Sequence, residues 1–117
     1  MQRFEDLDVW KKAFQLSVEI FKAFKDCRDF GFRDQITRAS LSVPSNISEG
    51  YERDSNKEFI RFLYIAKGSC GELRTQLCIA LEIGYLEKDK CNAFIERAKE
   101  ISSMLSGLIQ KRKSFNL

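Results

Sequence analysis

Residues 55–84 read SNKEFIRFLYIAKGSCGELRTQLCIALEIG. Ser55 and Glu58 fit a capping box, in which the hydroxyl accepts from the Glu58 amide and the carboxylate reaches back. Phe59, Phe62, Leu63, Ala66, Cys70, Leu73, Leu77, Ala80 and Leu81 then fall within a stripe about 100° wide, as on an amphipathic helix packed against a core. Gly84 suits its end. Ile65, Ile79 and Ile83 form a second apolar strip off that face. Gly68, Ser69 and Gly71 lie inside the helix, where glycine costs up to about 1 kcal/mol relative to alanine. A closely approaching neighbour helix is the expected reason for them.

Working outward, a helix is predicted over 33–50, with Phe32, Ile36, Ala39, Val43 and Ile47 along one face. Pro44 interrupts it and leaves the Ser40 carbonyl without its usual partner, so a kink is expected there. Ser40, Ser42, Ser45 and Asn46 surround the break and are expected to satisfy the freed group. Gly50 is expected to end the helix in the left-handed region. The first helix, over 6–26, takes Asp6 as its N-cap. It carries two stripes: Leu7, Trp10, Phe14, Val18 and Phe21, and Val9, Ala13, Leu16, Ile20 and Phe24. A bundle helix needs one. The first is expected to face the core with Trp10 largely buried, the second to face another copy of the chain. The last helix, over 88–112, places Phe94, Ala98, Ile101, Leu105 and Leu108 on one face. Three short polar breaks join four helices, which demands antiparallel neighbours. The fold class is therefore all-α, an up-down-up-down four-helix bundle in one domain over residues 1–117.

Composition agrees. The chain has 117 residues, 44% of them apolar and 32% charged, with ten Phe, one Pro and six Gly. That rules out disorder and leaves too few turn formers for a many-stranded sandwich or barrel. Size scaling lets roughly two-thirds of the surface be buried. No apolar run approaches the ~20 residues of a membrane span, and charged residues closely follow Met1, so a soluble cytoplasmic protein is expected.

The chemistry is bounded by absences. There is no His, which removes the usual general base, the Ser–His and Cys–His pairs and the commonest metal ligand. Cys27, Cys70, Cys78 and Cys91 show no C-x-x-C spacing and are expected as reduced, mostly buried thiols. Gly68-Ser69-Cys70-Gly71 is mid-helix, with its amides already bonded, and is no phosphate loop. No enzyme activity, cofactor or metal is expected.

Charge is more informative. Residues 1–50 carry eight basic and eight acidic side chains, whereas residues 51–117 carry twelve and nine, so the net +3 lies wholly in the second part. Lys57, Arg61, Lys67 and Arg74 lie off the core stripe, and Arg53 just precedes the helix. Lys57 and Arg61 are a like-charge i,i+4 pair, which an anion would relieve. These five are the candidate nucleic-acid-binding residues, with Lys111 to Lys113 as a secondary candidate that dipole capping explains equally well. An ordinary solvated face is the plainer reading of all of them. The alternative function is a scaffold that presents its surface to another protein.

The stretch Ser42-Val43-Pro44-Ser45-Asn46-Ile47-Ser48-Glu49-Gly50 resembles the S-[IV]-P-S-N-I-A-E-G signature of the bacterial four-helix bundle proteins called 23S rRNA intervening-sequence proteins. Phe4 to Trp10 is similar to the family's F-x-D-L-x-V-W opening. Glu58-Phe59, Phe62-Leu63, Ile65-Ala66 and Gly68-Ser69 are similar to its E-F-x-x-F-L-x-I-A-x-G-S block. Ser48 departs from the usual Ala, and Arg74 stands where Glu is typical. The resemblance implies structural signature roles for Trp10, Pro44, Ser45, Asn46, Glu49, Gly50, Gly68 and Ser69. It implies assembly into ring-like pentamers and a relation to the accessory proteins of diversity-generating retroelements, which are basic and associate with nucleic acid. RNA or DNA, a second copy of the chain and a protein partner are thus the expected partners.

Overall fold

A computed structural model describes residues 2–116. Among the described residues there is no strand: the elements are α1 (Asp8–Phe24), α2 (Phe30–Tyr51), α3 (Asn56–Ile83) and α4 (Lys88–Lys113), with 3-10 turns at Phe4–Asp6 and Ser114–Asn116. Each helix packs on the next in sequence, and α1 closes the four-helix bundle against α4. The particle measures 48 × 21 × 19 Å. None of the helices is long and apolar enough to cross a membrane.

The caps follow local chemistry. Ser55 accepts from the Glu58 amide at 3.1 Å, while the Glu58 carboxylate turns to Arg61 and leaves the capping box half made. Gly84, at φ +76°, terminates α3 in the left-handed region that glycine enters without strain. Asp29 starts α2 three residues earlier than expected by accepting from the Phe32 amide at 3.1 Å. Asp29 also accepts from the Tyr85 hydroxyl at 2.7 Å, and these two bonds hold its carboxyl below the usual range. Asp6 does not cap α1. It accepts from the Arg3 amide within the preceding 3-10 turn, and Leu7 takes the cap position with no side-chain bond.

The stripe assignment on α1 is reversed. Val9, Ala13, Leu16, Ile20 and Phe24 are buried in the core, whereas Phe14 and Phe21 are 47% and 44% exposed. Trp10 is only half-buried, stacked on Phe14 at 5.1 Å and edge-on to Phe4 at 5.4 Å. The seams decide this. Ser17 meets Ser40 of α2 at 3.2 Å, and Glu19 receives a bidentate pair from Arg97 of α4 at 2.9 and 3.0 Å. The Arg97 bonds lower the Glu19 pKa. At 100° per residue the arc between Ser17 and Glu19 that faces α2 and α4 is the one carrying Leu16 and Ile20.

Helix α2 continues through Pro44 to Tyr51. The polar groups around Pro44 bond elsewhere than expected: Asn46 donates to the Ser42 carbonyl and hydroxyl at 2.8 and 2.9 Å, and Ser42 meets Ser69 of α3 at 2.8 Å. Ser48 donates to the Ser45 carbonyl. Gly50 is not left-handed, and no residue other than Gly84 has positive φ among those described. Its role is a close approach, because a Cβ there would stand 2.5 Å from Phe62 Cβ and 3.2 Å from the Phe59 ring. Gly68 and Gly71 are the reverse, with nothing within 4 Å of an added Cβ, so no described residue of this chain is the close neighbour expected beside them. On α4 Ile109 is buried and Leu108 half-buried. Gln76 is buried with its Oε1 unpartnered among the described residues.

These two environments predict opposite outcomes for one methyl group. Gly50→Ala forces α2 from α3 and is expected to destabilise the chain by about 1–3 kcal/mol. Gly68→Ala gains helix propensity and is expected to stabilise it by up to about 1 kcal/mol. Urea unfolding of both variants checks the pair.

Candidate nucleic-acid interface

At one end of the bundle α2 stops, α3 starts and α4 finishes. The turn from Glu52 to Ser55 is tight because Gly50 already holds α2 against Phe62. Asn56, one residue past the α3 cap, donates to the Arg112 carbonyl at 2.8 Å, in the last turn of α4. Arg112 in turn donates to Asn56 Oδ1 at 3.4 Å. Its guanidinium lies 4.8 Å from the Phe59 ring centre and 5.2 Å from that of Phe115. Lys113 Nζ lies 5.3 Å from the Tyr64 ring centre. A shallow pocket of about 320 Å³ opens between Tyr51, Arg53, Asp54, Asn56, Phe59 and Arg112.

The five cations expected from sequence divide here. Arg53 pairs with Glu49 at 2.8 Å, and Arg61 makes two bonds to Glu58 at 3.0 and 3.2 Å. Both guanidinium groups also stack on Phe62, at 4.9 and 4.6 Å. The Arg61 contact lowers the Glu58 pKa and raises that of Arg61. The expected repulsion between Lys57 and Arg61 is thus relieved internally. Lys57, Lys67 and Arg74 take no part in an ion pair among the described residues, and neither do Lys111, Arg112 and Lys113. Arg74 belongs to another surface, whereas Lys67 stands one helical turn beyond Tyr64, about 4.5 Å along the axis and 60° round it. Seventeen residues of helix separate Arg74 from Lys57, about 25 Å, and Arg74 points some 140° away from Arg61. The structure thus groups Arg53, Lys57 and Arg61 with the C-terminal Lys111 to Lys113, and separates them from Arg74.

Sequence reasoning missed the aromatic half of this surface. Tyr64 and Phe115 are 47% and 57% exposed. A legible signal existed, since Tyr64 lies seven residues after Lys57 on the same side of the helix, and Phe115 closely follows the basic run. A second exposed feature is a groove of about 370 Å³ between α1 and α2, lined by Phe14, Val18, Phe21, Leu41 and Pro44 with Ser17 and Lys22. Ile65, Ile79 and Ile83 are exposed on α3, as expected.

Three of the eight signature positions, Asn46, Gly50 and Ser69, serve the α2–α3 seam. Asn46 and Ser69 join α2 to α3 through Ser42, Gly50 admits Phe62, Glu49 holds Arg53 and Pro44 lies buried. Ser45 and Gly68 are exposed. The four cysteines are free, with Cys70 and Cys91 buried, Cys27 half-buried and Cys78 exposed. Burial pushes the Cys70 thiol up to about 11 and raises that of Cys91.

Fold and surface define the class: an all-α antiparallel four-helix bundle with cations and aromatic rings clustered at one end. The chain belongs to the 23S rRNA-intervening sequence protein family, whose model matches residues 5–107. The fold is similar to the crystal structure of a protein of unknown function from the S23 ribosomal protein family of Bacteroides thetaiotaomicron. The two share 24% identity over 86% of this chain and 97% of that one, with a TM-score of 0.81. No curated protein matches the chain.

Thiol environment predicts labelling order. With excess maleimide at neutral pH Cys78 is expected to react first, and Cys70 and Cys91 only when the bundle opens. Mass mapping of the labelled peptides over time measures this, and early modification of Cys70 would contradict its placement.

Proposed function

We propose that this chain is a non-enzymatic, self-assembling cytoplasmic bundle that associates with RNA through the basic end. One observation carries the reading: Lys57, Lys111, Arg112 and Lys113, none in an ion pair among the described residues, lie at the end where α3 begins and α4 finishes. Charges left without an acidic partner remain free to neutralise phosphates, and each neutralised phosphate releases counterions. Such contacts position a nucleic acid and carry little sequence information. The family resemblance to basic, nucleic-acid-associated accessory proteins of retroelements supports the same direction.

Self-association is the second part of the reading, as a ring expected from the resemblance to be a pentamer. Its support is the groove of Phe14, Phe21 and Leu41, an apolar patch of the kind that marks interfaces. Repetition of a weakly basic end around a ring would add avidity to contacts that are feeble singly. The same groove supports the scaffold reading, in which another protein rather than a second copy covers it.

Two measurements test these statements. The triple variant Lys57→Glu, Lys111→Glu, Lys113→Glu is expected to abolish RNA retention and flatten its dependence on salt, by about one unit of slope for each phosphate no longer neutralised. Arg74→Glu is expected to retain most binding. A wild type without salt-sensitive RNA binding would leave the scaffold reading in place. In light scattering the wild type is expected at a multiple of 13.6 kDa and Phe14→Glu with Phe21→Glu at the monomer mass. A monomeric wild type would refute assembly.

A further inference from the structure

We propose that the basic end selects unpaired RNA over duplex, by stacking bases on the exposed rings of Tyr64 and Phe115. This rests on the RNA reading above and narrows its substrate class. Cations alone attract any polyanion and do not separate a single strand from a duplex. A solvent-exposed ring among those cations does, because only an unstacked base presents a free π-face to it. Tyr64 and Phe115, roughly half exposed, flank consecutive cations: Lys113 lies 5.3 Å from the Tyr64 ring centre and Arg112 5.2 Å from that of Phe115. Arg112 is itself held by Asn56 and by the buried Phe59 ring at 4.8 Å. A cation against a ring orients it at little further cost, so the platform is formed before any base arrives. Lys57 lies two turns before Tyr64 and about 20° round the helix, roughly 10 Å along the axis, where it can meet the phosphate of a neighbouring nucleotide.

The surface is distinct from the groove expected to hold the assembly together. Its two rings belong to α3 and to the turn after α4, whereas Phe14, Phe21 and Leu41 belong to α1 and α2. Substituting Tyr64 or Phe115 therefore leaves both the core and that groove intact.

The test compares a short labelled oligouridylate with an RNA duplex carrying the same number of phosphates, by fluorescence anisotropy on the full chain. The wild type is expected to favour the single strand. Tyr64→Leu and Phe115→Leu are each expected to weaken single-strand binding about tenfold while leaving duplex binding unchanged, and Tyr64→Phe to keep the wild-type preference. Circular dichroism melting confirms that each variant is folded. Equal affinity of the wild type for both RNAs, or unchanged single-strand affinity in both leucine variants, overturns stacking and leaves the RNA reading standing. Failure to bind either RNA overturns both.

Discussion

At Gly50 the backbone of α2 comes so close to α3 that a single added carbon would stand 2.5 Å from Phe62 Cβ. Much of that end of the bundle follows from the contact. It brings Phe59 and Phe62 under the end of α2 and permits the short turn into Ser55. It also sets Arg53 and Arg61 against the Phe62 ring. Two turns away the Ser42–Ser69 bond repeats the approach with small side chains. The α2–α3 pair is accordingly held by close backbone approach, where a larger residue would separate the helices.

The same contact shapes the electrostatics. Arginines drawn onto Phe62 are held beside the carboxylates of Glu49 and Glu58, which neutralise them there. Exposed surface pairs of this kind contribute little to stability, yet they determine which cations remain available. The lysines and Arg112 at the junction of α3 and α4 form no such pair among the described residues. The end of the bundle is therefore a divided surface, with its arginines paired near α2 and its cations unpaired near α4 among the described residues, where the rings of Tyr64 and Phe115 lie.

Polar seams orient the remaining helices. Ser17 with Ser40 and Glu19 with Arg97 bracket α1, and the arc between them has nowhere to point except the core. The aromatic stripe of α1 consequently faces outward, where Phe14, Phe21 and Leu41 line one groove. Large rings on a surface helix are unfavourable in water, and the groove they line is where a partner surface would gain most.

Four helices, their order, the Ser55 and Gly84 boundaries, the core faces of α2 and α3, and that of α4 as far as Leu105 were legible in the chain before it was folded. These are local properties: a cap, a left-handed glycine, a single apolar stripe at helical period. Arg53, Lys57 and Arg61 stood out on the same local grounds. The choice between the two stripes of α1 did not, since both have the same period and comparable hydrophobicity. Nor did the difference between the crowded Gly50 and the open Gly68, or the meeting of Asn56 with Arg112, fifty-six positions later in the chain. Those outcomes depend on which helices become neighbours, and helical period carries no information about the neighbour. They follow from the packed bundle, in which every seam is occupied at once.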